Sequence, residues 1–119
     1  MQDFREIHAW QKAHRLVLDV YRAGEKLPPS ENFGLLLQLR RSAASIATRI
    51  AEGAGRDSGL EFSIELKRAR AAGHELEYLL LLSHDLGYLP DAVHAELSAE
   101  VIEVRKMISG FLKSVMAAQ

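Results

Sequence analysis

The sequence predicts an all-α protein, an antiparallel up-down-up-down four-helix bundle. Two observations carry that expectation. Apolar residues recur at spacings of three and four along most of the chain, and no stretch alternates as a strand does. Breakers at Leu27-Pro28-Pro29-Ser30, Gly53-Ala54-Gly55 and Gly87 to Pro90 cut the chain into four proline-free parts of helical length. The 119 residues suit one bundle domain over 1–119 with a core of its own.

The first helix is expected over about 5–26, with Trp10, Ala13, Val17 and Val20 as its apolar stripe and Leu16 and Tyr21 widening it. The second covers about 31–53. Ser30 is its expected N-cap, Gly53 its C-cap, and Leu39, Ala43, Ile46 and Ile50 its seam. The third covers about 59–86. Ser58-Gly59-Leu60-Glu61 fits a capping box, in which the Ser58 hydroxyl accepts the Glu61 amide and the Glu61 carboxylate reaches back. Its seam is Phe62, Leu66, Ala69, Gly73, Leu76 and Leu80, and Gly87 stops it. The fourth covers about 91–116, opens at Pro90-Asp91, and has Leu97, Val101, Val104, Ile108, Phe111 and Val115 as its seam. Strict 4-3 spacing lets helices lie about 20° apart with interlocked side chains. Short connections make neighbours antiparallel.

Apolar residues make up 48% of the chain and charged residues 26%, the balance of an ordinary globular protein. There is no cysteine, which excludes disulfides and thiolate chemistry. The N-terminal residues show no basic segment followed by an apolar stretch, and the longest apolar run, Tyr78 to Leu82, is too short to span a bilayer. The expectation is therefore a cytoplasmic protein without a membrane partner. Helix 3 is apolar on nearly every face around Tyr78 to Leu82, and a lone bundle would expose Leu37, Leu81 or Leu82. Those three residues are the expected surface for assembly with further copies.

The net charge of −1 hides an asymmetry. Residues 40–70 hold seven basic side chains against four acidic ones, and residues 71–119 hold three against seven. The basic group, Arg40, Arg41, Arg49, Arg56, Lys67, Arg68 and Arg70, forms a candidate stripe for phosphate oxygens, because guanidinium forks match them. Nearby Asp57, Glu61 and Glu65 are placed to neutralise part of it. Glu52 stands in the last turn of helix 2, where the helix dipole disfavours an anion, so an ion pair with Arg49 or Arg56 is expected at the helix 2–3 corner. The five histidines form no Glu-x-x-His or His-Glu-x-x-His pattern, and no Gly-Lys-Ser/Thr phosphate loop is present. No metal site, cofactor or catalytic residue is expected.

The order of motifs is familiar. Phe33-Gly34-Leu35 is followed by Gln38-Leu39-Arg40-Arg41-Ser42-Ala43, Ser45-Ile46 and Ile50-Ala51-Glu52-Gly53. Then come Arg56-x-Ser58-x-x-Glu61-Phe62, Glu75-Leu76-Glu77 and Leu86-Gly87-Tyr88-Leu89. Over nearly its whole length the chain resembles the bacterial four-helix-bundle family also called 23S rRNA intervening-sequence or S23-type proteins. The resemblance implies an up-down bundle, assembly as a homopentamer, and no catalytic residues. It also implies kinship with the accessory protein of diversity-generating retroelements, which is associated with a reverse transcriptase and nucleic acid. Two positions depart from the family pattern: Arg49 stands where asparagine is usual, and Ala71-Ala72 where Gly-Ser is common. The resulting expectation is a non-enzymatic homo-oligomer, pentameric by resemblance. Its basic face would bind RNA, DNA or a nucleic-acid enzyme. The alternative is a protein–protein scaffold with no nucleic-acid role.

Overall fold

In the computed structural model, which describes residues 2–118, four α-helices carry the fold and no strand occurs among the described residues. They are α1 (His8–Ala23), α2 (Leu35–Ala54), α3 (Gly59–Asp85) and α4 (Asp91–Ala117). Each helix packs on its chain neighbours and α4 closes on α1, while the diagonal pairs stay apart. The bundle is 46 Å long and 23 × 20 Å across.

The helix ends differ from the sequence expectation where local hydrogen bonds outcompete the simple rules. Residues Phe4–Glu6 form a separate 3₁₀ turn capped by Asp3, whose Oδ1 accepts the Arg5 amide at 3.0 Å. Extended Ile7 then delays α1 to His8. Ser30 is not a cap. Pro28 is extended and Pro29–Glu31 form another 3₁₀ turn, so α2 begins only at Leu35. Glu31 supplies the cap instead. Its Oε1 accepts the Leu35 amide at 3.2 Å, and its Oε2 accepts the Tyr88 hydroxyl at 3.0 Å, tying the start of α2 to the α3–α4 connection. Glu31 is the largest reason that the Tyr88 hydroxyl is pushed above its ordinary pKa.

Gly53 does not end α2, which continues through Ala54. The α2–α3 turn is closed by the capping box: Ser58 Oγ accepts the Glu61 amide at 3.1 Å and donates to Glu61 Oε1 at 3.2 Å. The return arm is thus hydroxyl to carboxylate. α3 ends as expected at Gly87, the one described residue with positive φ, at 84°. The Gly87 amide donates to the His84 carbonyl and the Tyr88 amide to the Ser83 carbonyl, each at 2.9 Å. This is the Schellman pattern, and it satisfies carbonyls the helix leaves open.

The expected seams of α2, α3 and α4 face the core, with Phe62, Phe111 and Val115 only partly buried and Leu112 taking a buried place in α4. That of α1 is rotated. Ala9, Ala13, Leu16 and Val20 are buried, Trp10 and Val17 sit at the edge, and Tyr21 is exposed. Trp10 packs edge-on to Phe4 and flat against His14, which holds its large ring at the side of the bundle.

Replacing Gly87 with alanine places a Cβ in the left-handed region and is expected to cost about 1 kcal/mol. Thermal unfolding followed by circular dichroism checks this. An unchanged melting temperature would show that the turn relaxes.

Candidate functional site

The α2–α3 corner is built around Glu65, whose side chain is 2% exposed. Gly53 makes this possible. A Cβ there would lie 2.6 Å from Phe62 Cδ1 and 3.1 Å from Glu65 Cβ, so its absence lets α3 lie close on α2. Three arginines enclose the carboxylate. Arg68 Nη1 donates to Oε1 at 2.7 Å, and Arg49 and Arg56 each stand 3.7 Å from Oε2. Oε2 is itself buried and accepts no hydrogen bond. Burial pushes the Glu65 carboxyl upward. The bond from Arg68 and the charges of Arg49 and Arg68 outweigh it and hold the group below its ordinary range.

The expected corner ion pair is present, with Arg49 Nη1 3.6 Å from Glu52 Oε2. Its hub, however, is Glu65, and Arg56 turns to Glu65 rather than Glu52. From the sequence, Glu65 is expected only to neutralise part of the basic face. The available signal was its heptad position: Ala72 and Leu79, seven and fourteen residues on, are both buried.

The other predicted basic residues do not join a continuous stripe. Arg40 ties α1 to α2, with Nη2 donating to the Tyr21 carbonyl at 2.9 Å and its guanidinium over the Tyr21 ring. Arg70 donates to Ser109 Oγ on α4 at 3.3 Å. Arg41 and Lys67 are exposed and form no ion pair among the described residues. A cleft of about 210 Å³ opens at the corner between Arg56, Glu61, Ile64, Glu65 and Arg68.

Of the predicted interface residues, Leu37 and Leu81 are exposed, while Leu82 is half-buried against the core and less exposed than expected. The structure adds a feature missed in the sequence. Leu60, Ile64, Lys67, Ala71, His74, Tyr78 and Leu81 follow one another at spacings of 4-3-4-3-4-3 and are all exposed. They form a second helical line on α3, turned away from the core. Leu60 and Tyr78, at 61% and 60% exposure, show how little covers it. A cleft of about 430 Å³ between Tyr78, Leu81, His74, Glu77, His94 and Ser98 flanks its C-terminal end. The two interleaved seams explain why α3 reads as apolar on nearly every side.

His84 lies between two carboxylates, with Nε2 2.6 Å from Asp91 and Nδ1 3.2 Å from Asp85, and stacks on His94. Its pKa is raised chiefly by Asp91 and then by Asp85. No three metal-binding side chains converge among the described residues, and no helix of the described residues is long and apolar enough to cross a membrane.

Fold and corner together define a four-helix bundle whose second and third helices are clamped by a buried carboxylate and its arginines. The chain belongs to the 23S rRNA-intervening sequence protein family, whose sequence profile matches residues 5–110. It is also similar in fold to a protein of unknown function from the S23 ribosomal protein family of Bacteroides thetaiotaomicron. That likeness has a TM-score of 0.82 and 22% identity over 88% of this chain and 98% of the other. No match to a functionally curated protein was found.

Glu65→Gln keeps the shape and removes the anion that three arginines share. A loss of about 1–3 kcal/mol is expected at neutral pH, the usual cost of leaving a buried hydrogen-bonding partner unmet. Because the folded-state pKa of Glu65 is depressed, its contribution is present above the ordinary carboxylate pKa and is lost as pH falls through the folded value. Urea unfolding should therefore separate wild type from variant at pH 7 and bring them together in acid. Equal stability at pH 7 would refute the clamp.

Proposed function

We propose that the protein is a helical scaffold without catalytic chemistry that assembles with copies of itself, with the outer line of α3 as the docking face. That second 4-3 line carries the reading. A helix with one seam needs one partner surface, whereas α3 has two seams and the bundle covers only one. Lys67 and His74 interrupt the line, and polar groups in such a seam set register at some cost in stability. The family resemblance makes a pentamer the assembly size proposed.

A second reading rests on the corner. Arg56 and Arg68 keep about half their side-chain surface exposed beside the cleft, and a guanidinium has more donors than Glu65 uses. Phosphate oxygens of RNA or DNA suit such donors. The geometry favours the docking face first. Arg40 and Arg70 are engaged with other helices, and Arg49, Arg56 and Arg68 already face carboxylates.

Light scattering is expected to give a mass five times that of the 13.3 kDa chain. The Ile64→Glu, Tyr78→Glu double variant should fall to a single-chain mass with its helix content intact. Wild-type protein that stays at single-chain mass at micromolar concentrations would end the scaffold reading. For the second reading, a low-salt titration with RNA should show binding that weakens steeply with added salt, and Arg56→Ala with Lys67→Ala should reduce it several-fold. No binding at low salt would exclude it.

A further inference from the structure

α1 and α4 share the smallest of the four helix–helix interfaces, and charged groups line it. Lys12, Arg15, Asp19 and Arg22 come from α1, and Glu96, Glu100 and Glu103 from α4. Lys12 is used by Glu103 at 3.3 Å, and Arg22 approaches Asp19 from its own helix at 3.4 Å. Glu100 is left facing the Asp19 carboxyl within hydrogen-bonding reach across the seam. No cation comes within ion-pair distance of Glu100 among the described residues, and its Oε2 is buried without a hydrogen-bond partner. A narrow cavity of about 100 Å³, lined by Lys12, Arg15, Glu100, Glu103 and Val104, lies alongside.

Two facing carboxylates repel unless one is protonated, and a single shared proton turns the repulsion into a hydrogen bond. We propose that the α1–α4 seam is a proton-operated latch. Glu100 holds a proton that it donates to Asp19 when the seam is shut, and losing that proton sets two carboxylates against each other and frees α1 from α4. The electrostatics agree with the geometry. Burial, then the hydrogen bond and charge of Asp19, then Glu96, push Glu100 up to about 7, while Arg15 opposes them. α1 is the helix suited to release, since its 16 residues make it the shortest of the four.

The sign follows from linkage. The shut seam binds the proton more tightly than the open one, so its stability is greatest in acid. It declines as pH rises from the ordinary carboxylate value of 4.5 towards about 7, and the loss is complete above that. His84 lies between α3 and α4, and its own stabilising contribution is also lost as pH rises through its raised pKa. A comparison at Glu100 must separate the two.

Hydrogen exchange of the α1 amides, corrected for the intrinsic pH dependence of exchange, makes that separation. In wild type the opening equilibrium of α1 should rise roughly thirtyfold between about pH 5.5 and about pH 8.5. Glu100→Gln keeps a donor facing Asp19 at every pH and should remove most of that rise. Asp19→Asn removes the facing charge and should reduce it as well, which keeps the test intact if the first variant folds poorly. A wild-type α1 whose protection does not change with pH, or a rise that persists undiminished in both variants, would overturn the latch.

Discussion

Gly53 lacks a Cβ, and the close packing of α2 against α3 depends on that gap. Phe62 occupies the space a side chain would take, and Glu65 is carried with it into the contact between the helices. Once a carboxylate is drawn out of water it must be compensated, and three arginines from α2, the turn and α3 do so. The shape of the corner, its charge and its cleft follow from one missing methyl group and the ion it forces inside.

The same accounting explains the charges elsewhere. The interior is almost wholly aliphatic. Buried Ser42, Ser63 and Ser83 donate to carbonyls of their own helices, whereas long charged side chains enter at seams, where a neighbouring helix can meet them. Arg105 donates to Glu77 at 2.6 Å between α4 and α3, and Arg40 uses the Tyr21 carbonyl between α2 and α1. Glu100 is the exception, because the group across its seam is another acid. A run of basic residues in the sequence is thereby dispersed. Arg40, Arg49 and Arg70 join helices together, and the largely apolar outer line of α3 stays exposed.

The bundle was readable because burial on a helix repeats at fixed spacing. Leu39, Ala43, Ile46 and Ile50 fall on one face by spacing alone, and Ser58 and Gly87 mark helix ends through rules that involve only nearby residues. Spacing alone does not place a residue where two patterns overlap or a distant group intervenes. In α1, Trp10 and Val17 fit the apolar spacing, but Ala9, Ala13, Leu16 and Val20 take the buried side and the indole sits at the edge with Phe4 and His14. In α3, a core seam and an outer seam share one helix, so spacing does not separate Leu82, half-buried against the core, from exposed Leu81. At α2, Ser30 offered the standard cap, yet Glu31 could reach both the Leu35 amide and Tyr88, fifty-seven residues away.

The sequence by itself determined the helix count, the order and antiparallel sense of the helices, the local caps at Ser58 and Gly87, and most of the core. Those depend on periodicity and on neighbours within a turn or two. Only the tertiary structure decided which charges meet. Glu65 became the hub of the corner, Arg40 and Arg70 left the basic face, and Glu100 came to face Asp19 across α1 and α4. The reason is physical: an ionised side chain is stable in water almost anywhere, so its sequence position says little until packing removes that water and forces it to find a partner.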